Sequence, residues 1–216
     1  MSTPLVGLVA RSLLRRLFLA GGLVTSLLLL STFVGSAQAA SANLTTRCGT
    51  VSVSQPFTQW GDSGYYSLMP GGDFESGLTG WTLTGGAAAV AGSEPYAAAG
   101  SLGSLSLSLP AGASAQTPFV CVDDSDTDFR FFALNQTPNA AVVVSVVYTI
   151  AGNQLAFPVG VATGDSAWTP SSAMRTGSML AARLSPARTA MVAIRFTAFR
   201  GTSQIDDLFL DPRLKY

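Results

Sequence analysis

The sequence predicts an all-β protein, a single β-sandwich of about nine strands. Apolar and polar residues alternate in short windows, and Gly, Pro and Asn cluster between those windows. No window carries a sustained apolar stripe at helical spacing. One continuous run of short strands, without repeats or a low-complexity linker, is typical of two packed sheets.

The N-terminus has the features of an export signal. Three arginines precede an apolar run over residues 17–34, which ends in the small residues of A-Q-A-A at 37–40. This pattern predicts a signal peptide over 1–39 that is cleaved after Ala39. The run is nearly long enough to span a bilayer, so an uncleaved anchor is the alternative. Arg15-Arg16 partly matches a twin-arginine signal, although the Leu-rich core suits the general export route better. The protein is therefore expected to be secreted or extracytoplasmic and associated with the cell envelope.

The segment after the signal divides into two parts. Residues 40–62 are polar and are predicted to form an arm that lies against the sandwich, which occupies residues 63–216. The two cysteines, Cys48 and Cys121, both follow the predicted cleavage site. In an oxidising compartment an even pair, with no His to share a metal, predicts one disulfide that ties the arm to the sandwich.

The strands are read from alternation with a period of two. In residues 102–109 the leucines fall on one face and the serines on the other, as in a half-buried strand. The windows 141–150 and 154–161 flank Gly152-Asn153, which predicts a hairpin. The predicted strands are residues 65–69, 81–84, 102–109, 115–122, 129–135, 141–150, 154–161, 189–199 and 205–211.

Charge and residue types exclude several functions. After residue 39 there are nine basic and twelve acidic residues, and the basic ones are scattered, so nucleic acid is not an expected partner. The chain has no His, and a disulfide would leave no thiol nucleophile, so an enzyme is not expected. The enzymatic alternative is a glycoside hydrolase that uses carboxylates, with Glu94 as the acid.

Two acidic segments predict a metal site. Asp73 and Glu75 flank Phe74 and would emerge on one strand face, while Asp206 and Asp207 lie in the last predicted strand. Carboxylates brought together from the first and last strands repel each other unless a cation intervenes. Calcium suits such a place, which predicts a structural calcium site at Asp73, Glu75, Asp206 and Asp207. The alternative for Asp73 and Glu75 is a solvated strand edge without a metal.

The acidic run at residues 123–128 is a different case. It copies the opening of an EF-hand loop but has Phe129 in the place of the required Gly. It is predicted to be a polar turn.

Three motifs carry a family resemblance. G-D-F-E-S-G-x-x-G-W begins at Gly72, Trp168 precedes Thr-Pro, and R-F-T is followed by I-D-D-L-F-L at 205–210. Together they resemble the galactose-binding-like jelly roll of bacterial carbohydrate-binding modules, over residues 70–211. The chain also resembles a group of uncharacterised secreted actinobacterial proteins that share S-Q-P-F and W-G-D in the arm. The resemblance implies a jelly-roll fold, carbohydrate binding and a structural calcium near Glu75 and the two aspartates.

The candidate ligand-binding residues are Trp60, Tyr66 and Tyr96, because sugar recognition uses exposed aromatic rings. Trp60 equally suits an anchor that holds the arm to the sandwich, and Trp81 and Trp168 suit core positions. The expected partner is a polysaccharide or cell-envelope glycan, with a membrane involved only if the N-terminal segment is retained. The alternative from another class is a structural or adhesive envelope protein without a sugar site.

Overall fold

The computed structural model describes residues 41–212, so the predicted signal peptide lies outside the described residues. Its single α-helix, α1, spans Ser178–Arg183. Its strands, β1 to β15 in chain order, are Ala42–Thr46, Gly49–Val53, Ser67–Leu68, Thr82–Thr84, Ala88–Ala91, Leu105–Leu109, Ser114–Gln116, Val120–Asp123, Asp126–Asn135, Ala141–Ile150, Asn153–Ala162, Thr169–Pro170, Met174–Arg175, Thr189–Arg200 and Ser203–Pro212. Within this part of the chain, no helix has the length and apolar character that crossing a membrane requires.

The strands form two large antiparallel sheets and one hairpin. The six-stranded sheet has the order β11-β10-β14-β7-β4, and β8 also pairs with β14. The seven-stranded sheet has the order β12-β9-β15-β6-β5, with β13 beside β9 and β3 beside β15. The hairpin consists of β1 and β2.

The core lies between the two large sheets. Alternate residues of β14, namely Val192, Ile194 and Phe196, are fully buried and belong to one apolar cluster with Phe131 of β9. The rings of Phe131 and Phe196 meet edge to face with centroids 5.0 Å apart. The fold is therefore a jelly-roll β-sandwich, as predicted. It has more strands than the nine expected, because short strands such as β5 and β12 carry little periodic signal.

One predicted strand is broken in the structure. The window 115–122 divides into β7 and β8 on either side of Thr117 and Pro118. Proline has no N–H group to donate to a ladder. The backbone N–H of Thr117 still donates to the carbonyl oxygen of Ile194, at 2.9 Å, so the segment stays beside β14.

Residues 73–75 are not a strand, which corrects the prediction. They form a turn in which Phe74 has φ 60° and a buried ring. The backbone at Gly72 packs directly against β15, because the Leu208 N–H donates to the Gly72 carbonyl oxygen at 3.0 Å. A Cβ at Gly72 would come within 2.8 Å of the Leu208 carbonyl oxygen. Glycine at this position therefore permits the close approach of the incoming chain to the last strand.

The predicted arm is ordered. Its hairpin is joined to β8 by the predicted disulfide between Cys48 and Cys121, which confirms that pairing. Beyond the hairpin, Ser54 and Tyr66 form a β-bridge, and Phe57 between them is fully buried. Residues 54–66 are thus packed into the folded domain.

Candidate functional site

The predicted metal residues have separate partners. The Glu75 carboxylate accepts hydrogen bonds from the backbone N–H groups of Ser104 and Leu105 and from the Ser104 hydroxyl, each at 2.7 Å. The Ser104 and Leu105 amides hold the pKa of Glu75 below its usual value. Asp73 lies half-buried in the preceding turn.

Asp206 and Asp207 join Glu94 in what we call the acid cluster. Asp206 is fully buried, and its carboxylate accepts from the Ser93 hydroxyl and the Glu94 N–H, both at 2.8 Å. Asp207 is 4% exposed and accepts from the Ala99 N–H at 3.0 Å. Burial raises the pKa of Asp206 to about 6. Burial, followed by the charges of Asp206 and Glu94, raises the pKa of Asp207 to about 9.

The Glu94 side chain is directed at the backbone of its own loop and not at solvent. It is 2% exposed, and its two carboxylate oxygens accept from the backbone N–H groups of Tyr96 and Ala98. A catalytic acid has to reach its substrate, so Glu94 does not have the position that the glycosidase alternative requires.

These placements bear on the calcium prediction. The carboxylate oxygens of Glu75, Asp206 and Asp207 are directed at N–H and O–H groups from different stretches of chain. Among residues 41–212, no group of three or more Asp, Glu, His or Cys side chains is arranged to hold a metal ion. The four predicted residues are thus not brought together in one group, and the calcium prediction itself stays untested.

The predicted aromatic residues lie on the outer side of the seven-stranded sheet. Tyr66 is 3% exposed and its hydroxyl donates to Asp62 at 2.7 Å, so it is a packing residue and not a sugar platform. Trp60 is half-buried and packs on Phe132 of β9, with ring centroids 5.3 Å apart. Tyr96 is 38% exposed and meets Trp60 edge to face. The rings hold the arm against the sheet and offer no flat shared platform.

The opposite side of the molecule has a groove. On β14 the residues that alternate with the core ones point outward, and the row runs from Met191 to Phe199, about 26 Å at strand spacing. Both end residues are exposed, at 50% and 56%. Between them lie Ala193 and, on the neighbouring strand, Val147, both with no exposed surface. We call this outer face of the six-stranded sheet the outer groove.

A chain of polar side chains shows that the groove is curved. Gln116 of β7 and Gln154 of β11 are three strand spacings apart, about 14 Å in a flat sheet. Their side-chain amides nevertheless lie 3.4 Å apart. On the other side, the Arg195 guanidinium donates twice to the Gln116 side-chain oxygen, at 2.9 and 2.6 Å. The sheet therefore bends toward this face, and Val147 and Ala193 of the face are covered by the surrounding side chains.

Sequence reasoning missed this site. Gln116 and Gln154 are far apart in the chain and meet only because the sheet curves. Alternation along residues 189–199 does separate Met191, Arg195 and Phe199 from the core residues. That signal identifies one row of the groove but not its curvature.

A second concavity, of about 320 Å³, lies beside α1. Its lining includes Met179, Leu180, Arg175 and Arg183, and no Asp, Glu, Cys or His of the described residues. The Ser178 hydroxyl there donates to the Asp126 carbonyl oxygen at 2.7 Å. The residues that line this cleft include no grouping for catalysis or metal binding.

Comparisons with known proteins find carbohydrate-binding modules among solved structures. The N-terminal tandem of two CBM22 domains from Paenibacillus barcinonensis Xyn10C is 13% identical, with a TM-score of 0.45, over 64% of this chain and 42% of that chain. A family 11 module from Clostridium thermocellum, in complex with a β-1,3-1,4-mixed-linked tetrasaccharide, is 13% identical, with a TM-score of 0.42, over 70% and 98%. TmCBM61 in complex with β-1,4-galactotriose is 15% identical, with a TM-score of 0.39, over 68% and 98%.

No protein-family model matches the chain, and no curated protein matches its sequence. The chain spans less than half the length of the tandem structure. At these identities and TM-scores the likeness is remote, so the fold assignment rests on the strand order and core described above.

Proposed function

We propose that the protein is a secreted, non-catalytic module that binds polysaccharide in the outer groove. The observation that carries the proposal is the curved face on which Arg195, Gln116 and Gln154 form a continuous polar chain, with exposed Met191 and Phe199 at the two ends of the β14 row. A concave site with a few fixed polar groups and apolar surface around them is the common form of a ligand site.

The side chains of the groove suit sugar hydroxyl groups. An amide offers both an acceptor oxygen and N–H donors, and a guanidinium offers several donors in one plane. These groups match hydroxyls, which donate and accept in turn. Exposed Met191 and Phe199 at the two ends supply apolar surface for the C–H faces of sugar rings. The length of the row supports a chain ligand rather than a single sugar.

The distribution of carboxylates supports a non-catalytic role. Glycosidases use two carboxyl groups about 5–9.5 Å apart that flank the bond to be cleaved. The five strands β4, β7, β10, β11 and β14 contain no Asp or Glu. The buried acid cluster belongs to the other sheet. Calcium has no assigned part in the proposed binding, and a calcium site at Asp73, Glu75, Asp206 and Asp207 is a separate prediction.

Retention on insoluble polysaccharides tests the proposal. We expect the protein without residues 1–39 to be retained by at least one polymer among xylan, mixed-linkage glucan and galactan. The double variant Gln154→Ala, Phe199→Ala should weaken the affinity at least about tenfold, the equivalent of 1.4 kcal/mol. Both side chains are exposed, so the substitutions leave the core intact. Dissociation constants from affinity electrophoresis give the measurement.

Tyr96→Ala is the matched control, since Tyr96 is an exposed aromatic residue on the opposite sheet. It should bind like the wild type. Loss of binding in Tyr96→Ala but not in the double variant would move the site to the aromatic residues of the arm. No retention on any polysaccharide would overturn the proposal and favour the structural or adhesive alternative.

A further inference from the structure

Arg195 is a half-buried cation whose partner in the structure is neutral. Its Nε and one terminal nitrogen donate to the same Gln116 side-chain oxygen. The four ion pairs among residues 41–212 involve Arg47, Arg130, Arg175 and Arg188, and not Arg195. A guanidinium has more N–H donors than these two bonds use. Arg195 therefore keeps donors for a ligand in the groove.

The strands beside Arg195 supply no acidic side chain. The five strands that make up the groove contain Arg195 and Arg200 and no acidic residue. The nearest acid in the same sheet is Asp123 of β8, which pairs with Thr189, six residues or about 20 Å along β14 from Arg195. Its carboxylate accepts from the Arg47 and Ser125 N–H groups. The groove is thus positive, whereas residues 40–216 carry a net negative charge.

We infer that the polysaccharide bound in the outer groove carries carboxylate groups, as uronic acid residues do, and that Arg195 contacts them. The inference rests on the proposed function and names its ligand class. A partly buried guanidinium that lacks an anionic partner gains charge-assisted hydrogen bonds from a ligand carboxylate. The planar guanidinium matches a planar carboxylate through two parallel hydrogen bonds. A site lined by charge of one sign also raises the local concentration of the oppositely charged ligand.

The test compares polymers that differ only in charge. Glucuronoxylan, polygalacturonate and alginate are each paired with the same polymer after chemical reduction of its carboxyl groups to alcohols. We expect the wild type to bind at least one carboxylated polymer about tenfold tighter than its reduced form at low salt, and the preference to shrink as salt is added. Arg195→Gln should bind the carboxylated polymer no tighter than its reduced form. Thermal unfolding of each variant checks that the fold is intact.

Arg183→Gln is the matched control, because Arg183 is an exposed arginine on α1 that lines the second concavity and not the groove. It should keep the preference. Equal binding of carboxylated and reduced polymers by the wild type would overturn this inference and leave the proposed function in place. A preference that survives Arg195→Gln would overturn the role of Arg195. Tight binding of dextran sulfate without binding of any carboxylated polymer would overturn the carboxylate class. Failure of every polymer, charged or reduced, would instead overturn the proposed function.

Discussion

Replacement of Phe57 by alanine is expected to lower the free energy of unfolding by about 3–5 kcal/mol, the usual cost of removing a buried Phe ring. Phe57 has no exposed surface. Its ring contacts those of Tyr66, Phe132 and Phe209, with centroids 4.9 to 5.6 Å away. The Arg130 guanidinium carbon lies 4.2 Å from the ring centroid. Truncation would leave a cavity between the arm and the seven-stranded sheet.

Urea unfolding of the wild type and Phe57→Ala measures this loss. Phe199→Ala is the matched control, since the same residue type is 56% exposed there and its loss should change stability by less than about 0.5 kcal/mol. Equal stability losses in the two variants would contradict the view that residues 54–66 belong to the folded unit. Two separate unfolding transitions in the wild type would contradict it as well.

The long strands could be predicted because their signal is local. Residues 141–150 alternate on one face with core valines, and the bounds of β10 match the prediction. The hairpin to β11 was also predicted from its turn residues. The positive φ angles fall on Ala151 and Gly152, one position earlier than the predicted Gly152-Asn153. Alternation and turn chemistry therefore specify β10, β11 and β14 to within a residue, whereas β9 begins three residues and β15 two residues before the predicted windows.

Short or irregular segments could not be predicted in the same way. Asp73-Phe74-Glu75 alternates like a strand, but Phe74 reaches the core through a left-handed backbone conformation, in contact with Trp81. The arm reads as polar because Phe57 is one apolar residue among many polar ones. In both segments the structure depends on the burial of a single aromatic ring. No periodic pattern of apolar residues in the sequence indicates that burial.

The acid cluster could likewise be predicted from the sequence only in part. Asp206 and Asp207 are visible in the sequence as a pair on the last strand. The third member, Glu94, joins them because the loop over residues 93–99 folds onto β15 and directs its N–H groups at all three carboxylates. Acids without evident partners in the sequence favour a metal prediction. In the structure these carboxylates accept hydrogen bonds from the loop, and the calcium prediction stays untested.

The stability of the domain is expected to fall as the pH rises from 6 to 9. The pKa of Asp207 is raised to about 9 by burial and by the neighbouring Asp206 and Glu94 charges. A hydrogen bond between the Asp207 and Glu94 side chains needs a proton, which the folded state keeps and the unfolded chain releases. The folded state thus binds the extra proton, so the free energy of unfolding falls as the pH rises through this window. The pKa of Glu75 lies below this window, so Glu75 does not titrate within it.

Unfolding free energies at pH 6, 7, 8 and 9, measured with excess chelator, test this expectation. Asp207→Asn should flatten the dependence, because an amide is neutral at every pH and still hydrogen-bonds with Glu94. Asp165→Asn, in the loop after β11, is the matched control and should keep the wild-type slope. Stability that rises with pH and is lowered by the chelator would contradict a proton held between the Asp207 and Glu94 side chains. It would restore calcium as the partner of these carboxylates, because a cation binds the ionised forms that the proton suppresses.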